Sequence, residues 1–253
     1  MTRWSAPTRR RACCAGCPLS DGLLVPLAAR YAPPHGGAVV IPPEPDGVVR
    51  AMPLVLRLER PPPARTPVLE AAARAALAVC LDPRADGEWR DALGTWIASR
   101  IRKIARRARG VHWAAVQELP GVTCEVGDAA ARALLPGPVD DVPREVARLQ
   151  IGGTDLPPDS PGPPPPGVPV IHVNTALEMS VGKAAAQVGH ASMLYAAVYR
   201  LTEVLAFAVR DATPAEWADL CRVVQRGAAV AVRDAGFTEV APGTITCITV
   251  PPS

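Results

Sequence analysis

Met179-Ser180-Val181-Gly182-Lys183-Ala184-Ala185-Ala186-Gln187-Val188-Gly189-His190-Ala191 follows an apolar run over residues 168–173 and reads as a loop entering an alanine-rich helix. At about 100° per residue, Lys183, Gln187 and His190 fall at i, i+4 and i+7 and share an arc about 60° wide on one helix face. Ala184, Ala185, Val188 and Ala191 are left to pack against a sheet. A cation, an amide and an imidazole on one stripe, beside the end of a strand, sit where an open α/β sheet commonly places a site. Ordinary, partly exposed helices carry such residues too.

A second stretch adds weight. Arg233-Asp234-Ala235-Gly236-Phe237-Thr238-Glu239-Val240-Ala241-Pro242-Gly243-Thr244-Ile245-Thr246 follows the apolar run over 228–232 and reads as strand, glycine turn, strand. Together, G-K-x-x-x-Q-x-x-H-A and D-A-G-x-T-x-x-x-P-G-T-x-T, in that order with a helix and a strand between them, resemble the type 2 peptidyl-tRNA hydrolase family. The resemblance covers residues 168–250. It implies hydrolysis of the ester that joins a peptide to the terminal ribose of tRNA, in a cytoplasmic enzyme of translation that often forms homodimers. Ester cleavage needs an activated water, a group to meet the developing oxyanion, and a hold on a polyanionic leaving group.

His190, with an ordinary pKa of about 6.5, suits proton transfer at neutral pH. Asp234 either activates the water itself or orients His190. Lys183 serves the oxyanion or a tRNA phosphate, with amides of the helix N-terminus, including that of Gly182, beside it. Gln187 and Thr238 are orienting hydrogen-bond groups, and Pro242, Gly243 and Thr244 shape the loop opposite. Neither a metal-ligand cluster nor a nucleotide-binding glycine loop occurs in the sequence, so no cofactor is expected. Two other readings fit the same residues: a non-catalytic tRNA- or ribosome-binding protein on this fold, and an esterase acting on another acyl ester. The sequence departs from the family pattern in three places. A helix after the first one and a helix after the last strand have no room, and Val181 stands where a lysine is common.

The chain has 253 residues and a net charge of +3, enough for one or two domains and too little charge to imply polyanion binding unless it is clustered. Residues 1–51 carry Arg9-Arg10-Arg11, three cysteines (Cys13, Cys14, Cys17) and prolines that interrupt every apolar run, and are expected to be a disordered extension. No continuous apolar core follows the arginines, which argues against an export signal, and no run is long enough to span a membrane. Met52 opens a better-patterned sequence and is the expected native start. The three close-set cysteines lack a matching second cluster for a metal. Cys80, Cys124, Cys221 and Cys247, scattered through apolar runs, suit reduced, buried thiols.

Residues 52–153 are expected to be an α/β domain: a strand over 54–58, a helix over 68–80 behind Thr66-Pro67, a helix over 88–108, strands over 111–118 and 122–126, and a short helix over 143–150. Its elements are arranged rather like those that follow, so this region is a candidate degenerate copy without the catalytic residues. The helix over 88–108 has an apolar stripe of Ile97, Ile101, Ile104 and Ala108, and its last turns hold Arg100, Arg102, Lys103, Arg106, Arg107 and Arg109 without a carboxylate. Cations at a helix C-terminus complement its dipole, but six exceed that need and point to tRNA phosphates.

Residues 154–167, with four consecutive prolines, form a semi-rigid linker. Residues 168–253 then give strand, helix, strand (204–209), helix (215–225), strand, strand: a small mixed β-sheet with helices packed on it. The expected partner is tRNA, with neither membrane nor DNA.

Overall fold

The computed structural model describes residues 22–31, 44, 46–234 and 243–252. In chain order these hold α1 (Val25–Tyr31), β1 (Arg50–Arg57), α2 (Arg65–Leu81), α3 (Arg90–Ala98), β2 (Lys103–Ala108), α4 (Gly110–Gln117), β3 (Gly121–Val126), β4 (Ala129–Leu134), β5 (Gly137–Pro138) and α5 (Arg144–Ala147). There follow β6 (Val170–Asn174), α6 (Val181–Tyr199), β7 (Ala208–Ala212), α7 (Pro214–Gln225), β8 (Val230–Arg233) and β9 (Ile245–Val250). The fold is α/β with two mixed sheets.

The first sheet has the order β2-β1-β4-β3, with β5 beside β1, and the second the order β7-β6-β9-β8. In the first, β1 runs parallel to β2 and antiparallel to β4, which pairs antiparallel with β3. In the second, β6 runs parallel to β7 and antiparallel to β9, which pairs antiparallel with β8. In each half, one helix (α2 or α6) follows the first strand and another (α4 or α7) precedes the third. One topology is therefore used twice, and α3 is an addition in the first half.

The helices α2 and α6 hold one core between the two sheets. Small side chains make that contact close: Ala72, Ala76, Ala184 and Ala185 are fully buried, and Ser192 Oγ of α6 donates to the Ala73 carbonyl of α2 at 2.7 Å. Such a helix is apolar around most of its circumference, as α2 is, because it meets protein on several sides. At the edge, Arg65 makes a two-pronged pair with Asp211 at 2.8 and 2.7 Å, and Glu70 accepts from Val209 N at 3.0 Å and Arg210 Nη1 at 3.2 Å. The proline-rich segment is docked along the same edge. Asp159 accepts from Thr66 N at 3.0 Å and Thr66 Oγ1 at 2.7 Å, supplying the cap that α2 lacks locally, and Gly162 O accepts from Arg210 Nε at 2.8 Å.

Within 1–51, Leu27 of α1 and Leu24 just before it are buried in the common core. The structure corrects several expectations for the elements that follow. The helix expected over 88–108 ends at Ala98, and its cationic half is the edge strand β2. Arg30 of α1 causes part of this ending: its guanidinium donates to Ile97 O and Ser99 O at 2.7 Å each and to Ala98 O at 3.2 Å, taking the carbonyls that another turn would have used. Lysines and arginines then suit an edge strand, where charge discourages further pairing.

The run over 111–118, expected as a strand, is α4, because a short apolar segment does not by itself separate helix from strand. The strand placed at 204–209 is Ala208–Ala212, since α6 runs on to Tyr199 and turns at Arg200 with φ 51°. The strand β4, Ala-rich and wholly buried, had no counterpart in the sequence reading.

Candidate functional site

The site begins where β6 hands the chain to α6. Ser180 caps the helix by accepting from Lys183 N at 3.4 Å. Gly182 is needed for a different reason: its N–H donates to Thr154 Oγ1 at 3.1 Å, and a Cβ there would stand 2.9 Å from the same oxygen. This brings the segment 151–155 against the first turn of α6. Lys183 stands exposed at the rim.

One turn further on the stripe is buried, and two turns on it is half-buried. Gln187 is 7 % exposed; its Oε1 accepts from Thr246 Oγ1 of β9 at 2.7 Å, which fixes the amide so that Nε2 donates to Asp234 Oδ2 at 3.4 Å. Asp234, also 7 % exposed, lies just past β8, and its backbone is pinned by Asp234 N to Thr244 O and Gly243 N to Asp234 O, both 2.8 Å. Thr246, Gln187 and Asp234 are thus a hydrogen-bonded row that holds one carboxylate at the cleft wall.

His190 faces the other half of the molecule. Its Nδ1 lies 3.0 Å from Nζ of Lys103 on β2. The lysine stem passes over Gly189, where a Cβ would come within 3.2 Å of it, and its ammonium stands 5.1 Å from the centre of the Trp96 ring. Burial brings Lys103 down to about 7. His190 is held well below the usual imidazole range, first by burial and second by the Lys103 charge. Near neutral pH the imidazole is therefore uncharged.

These groups line one cleft of about 1070 Å³ between the halves. The first half contributes Arg100, Arg102 and Lys103 and the segment 151–155; the second contributes Lys183, Gln187, His190, Arg233 and Asp234. The remaining cations of the expected cluster are not on a helix and do not all reach this wall, because a strand sends successive side chains to opposite faces. Arg106 Nη1 donates to Leu149 O at 3.0 Å, Arg107 bonds the side chain of Gln150, and Arg109 is exposed ahead of α4. Arg102 pairs with Glu44. Gly243 and Thr244 close the loop base, whereas Thr238 and Pro242 lie outside the described residues, as do Cys13, Cys14 and Cys17.

Three participants escaped the sequence reading. Thr246 stood in the quoted motif, two residues after Thr244, and strand alternation was the available signal. Thr154 and the pairing of Lys103 with His190 depend on contacts between the halves, for which the sequence holds no local signal. Among the described residues no group of three His, Cys, Asp or Glu side chains is placed to hold a metal, and no helix is long and apolar enough to cross a membrane.

A buried, amide-oriented carboxylate in a cleft that an imidazole also lines, under a cationic rim, can direct a water at an electrophile attached to a polyanion. No curated protein and no solved structure matches the chain. Residues 168–253, which carry Lys183, Gln187, His190 and Asp234, match the family model described as Peptidyl-tRNA hydrolase PTH2.

Proposed function

We propose that the protein hydrolyses the ester between an N-blocked aminoacyl or peptidyl group and the terminal ribose of tRNA, and so returns tRNA from stalled or prematurely released peptidyl-tRNA. The observation that carries this is the Thr246–Gln187–Asp234 row, which holds a carboxylate in the cleft within the family-matched segment. Asp234 accepts a proton from the attacking water, with Gln187 keeping the carboxylate in register. The neutral His190 and Lys183 serve the carbonyl oxygen and the departing ribose oxygen. The water's oxygen forms the new acyl bond, the acyl–ribose bond breaks, and the proton is passed on to the leaving oxygen, so that carboxylic acid and free tRNA result. Lys183, Arg100, Arg102 and Arg233 supply positive charge around the cleft for the acceptor-end phosphates. The setting is cytoplasmic, without a cofactor.

The test is release of the blocked amino acid from N-acetyl-aminoacyl-tRNA by the full chain, beside unblocked aminoacyl-tRNA. The proposal expects turnover of the blocked substrate. Salt-sensitive tRNA binding without turnover would replace the enzyme by a binding protein on the same fold, and cleavage of simple acyl esters alone would replace it by another esterase.

A further inference from the structure

Lys103 belongs to the half of the chain that the family model does not cover, yet its Nζ is 3.0 Å from Nδ1 of His190 and both line the cleft. The contact is built, since Gly189 leaves room for the lysine stem and Trp96 faces the ammonium. Trp96 is itself fixed by donating from Nε1 to Arg102 O at 3.0 Å. An ammonium can only donate. We propose that Lys103 is a positioning residue of the hydrolase site: by donating to Nδ1 it holds the His190 imidazole as the Nε2–H tautomer, making the ring a hydrogen-bond donor rather than the base.

This rests on the hydrolase reading and deepens it, because it leaves water activation to Asp234 and gives His190 the oxyanion or the leaving oxygen. The first half, which lacks the motif residues, thereby completes the site of the second. The matching place across the fold is closed instead, where α2 meets β7 through Arg65–Asp211 and Glu70–Arg210.

The ionisable groups facing the Lys103 amine are His190 of α6 and the Cys80 thiol of α2, which burial pushes up to about 12, so neither is charged near neutrality. The charged groups of the surrounding wall are Arg100, Arg102, Asp155, Lys183, Arg233 and Asp234. As pH rises through about 7 the amine loses its proton, the obligation on Nδ1 ends, and the tautomer preference relaxes.

The experiment uses the full chain labelled with ¹⁵N-histidine, with the His190 ring identified by its loss in His190→Asn. Ring nitrogen shifts are followed through neutrality in wild type, Lys103→Arg and Lys103→Met, while kcat and KM are measured on N-acetyl-aminoacyl-tRNA. Expected is an Nε2–H ring on the acid side of the transition in wild type, persisting to higher pH in Lys103→Arg. In Lys103→Met a mixture of tautomers is expected, with kcat about a hundredfold lower and KM little changed. Arginine should restore part of that kcat and extend activity to higher pH. An unchanged tautomer in Lys103→Met overturns the proposal, as does a raised KM with kcat intact, which would make Lys103 a phosphate ligand. A wild-type chain that hydrolyses nothing sinks the hydrolase reading instead, with the ring shifts still deciding whether Lys103 sets the tautomer.

Discussion

Replacing Lys103 by methionine should stabilise the protein, and by an amount that depends on pH. Burial lowers this amine from 10.5 to about 7. A lysine whose pKa is lower folded than unfolded costs stability, because the unfolded chain binds more protons in the window between those values. Wild-type stability attributable to this group therefore rises with pH across the window. With those two pKa values, the cost is about 4 kcal/mol at pH 7 and about 2 kcal/mol at pH 9, relative to an uncharged residue. The unfolding free energy of Lys103→Met should thus exceed that of wild type at pH 7, and the gap should narrow by about 2 kcal/mol by pH 9. Methionine fills much the same path past Gly189 and Trp96, so cavity effects add little. Urea titrations of both proteins at the two pH values read the gap directly, and the buried thiols Cys80 and Cys247 cancel because both chains contain them. Parallel stability–pH curves for the two proteins would refute the reasoning, since they would show that the amine is charged and solvated in the folded state as it is in the unfolded one.

Other outcomes follow from single contacts. Thr246→Val removes the donor that fixes the Gln187 amide, and should cost about 1 kcal/mol in a thermal melt and about tenfold in kcat, with tRNA affinity unchanged. Gly182→Ala places a methyl 2.9 Å from Thr154 Oγ1 and should destabilise by about 2 kcal/mol; a double-mutant cycle with Thr154→Ala should show coupling, and strict additivity would count against the contact. Asp211→Asn leaves the Arg65 guanidinium opposite a neutral amide at the edge between the halves, and should lower stability by about 2 kcal/mol in denaturant titration while sparing hydrolysis.

Much of the second half was legible because its signals are local. The alanine-rich helix and its i, i+4, i+7 stripe are short-range patterns, and the structure brings Gln187 and Asp234 into contact from 47 residues apart. What stayed hidden depends on distant contacts. Arg30 ends α3 from 67 to 69 residues away, which turned a stretch with helical spacing of isoleucines into an edge strand. Wholly buried β4 has the alanine content of a helix and is a strand because both its neighbours pair with it. The repeated topology was visible only as a similar order of elements, because β4 and the true bounds of β2 are needed to see that the strand orders agree.

The most direct measurement is of Asp234→Asn in the full chain, comparing tRNA binding with release of N-acetyl-amino acid from its tRNA ester. The substitution keeps the size of the side chain and removes the proton acceptor. Binding within about twofold of wild type is expected, with kcat lower by about a thousandfold. Hydrolysis at the wild-type rate by Asp234→Asn would contradict this, because water activation would then lie elsewhere in the cleft.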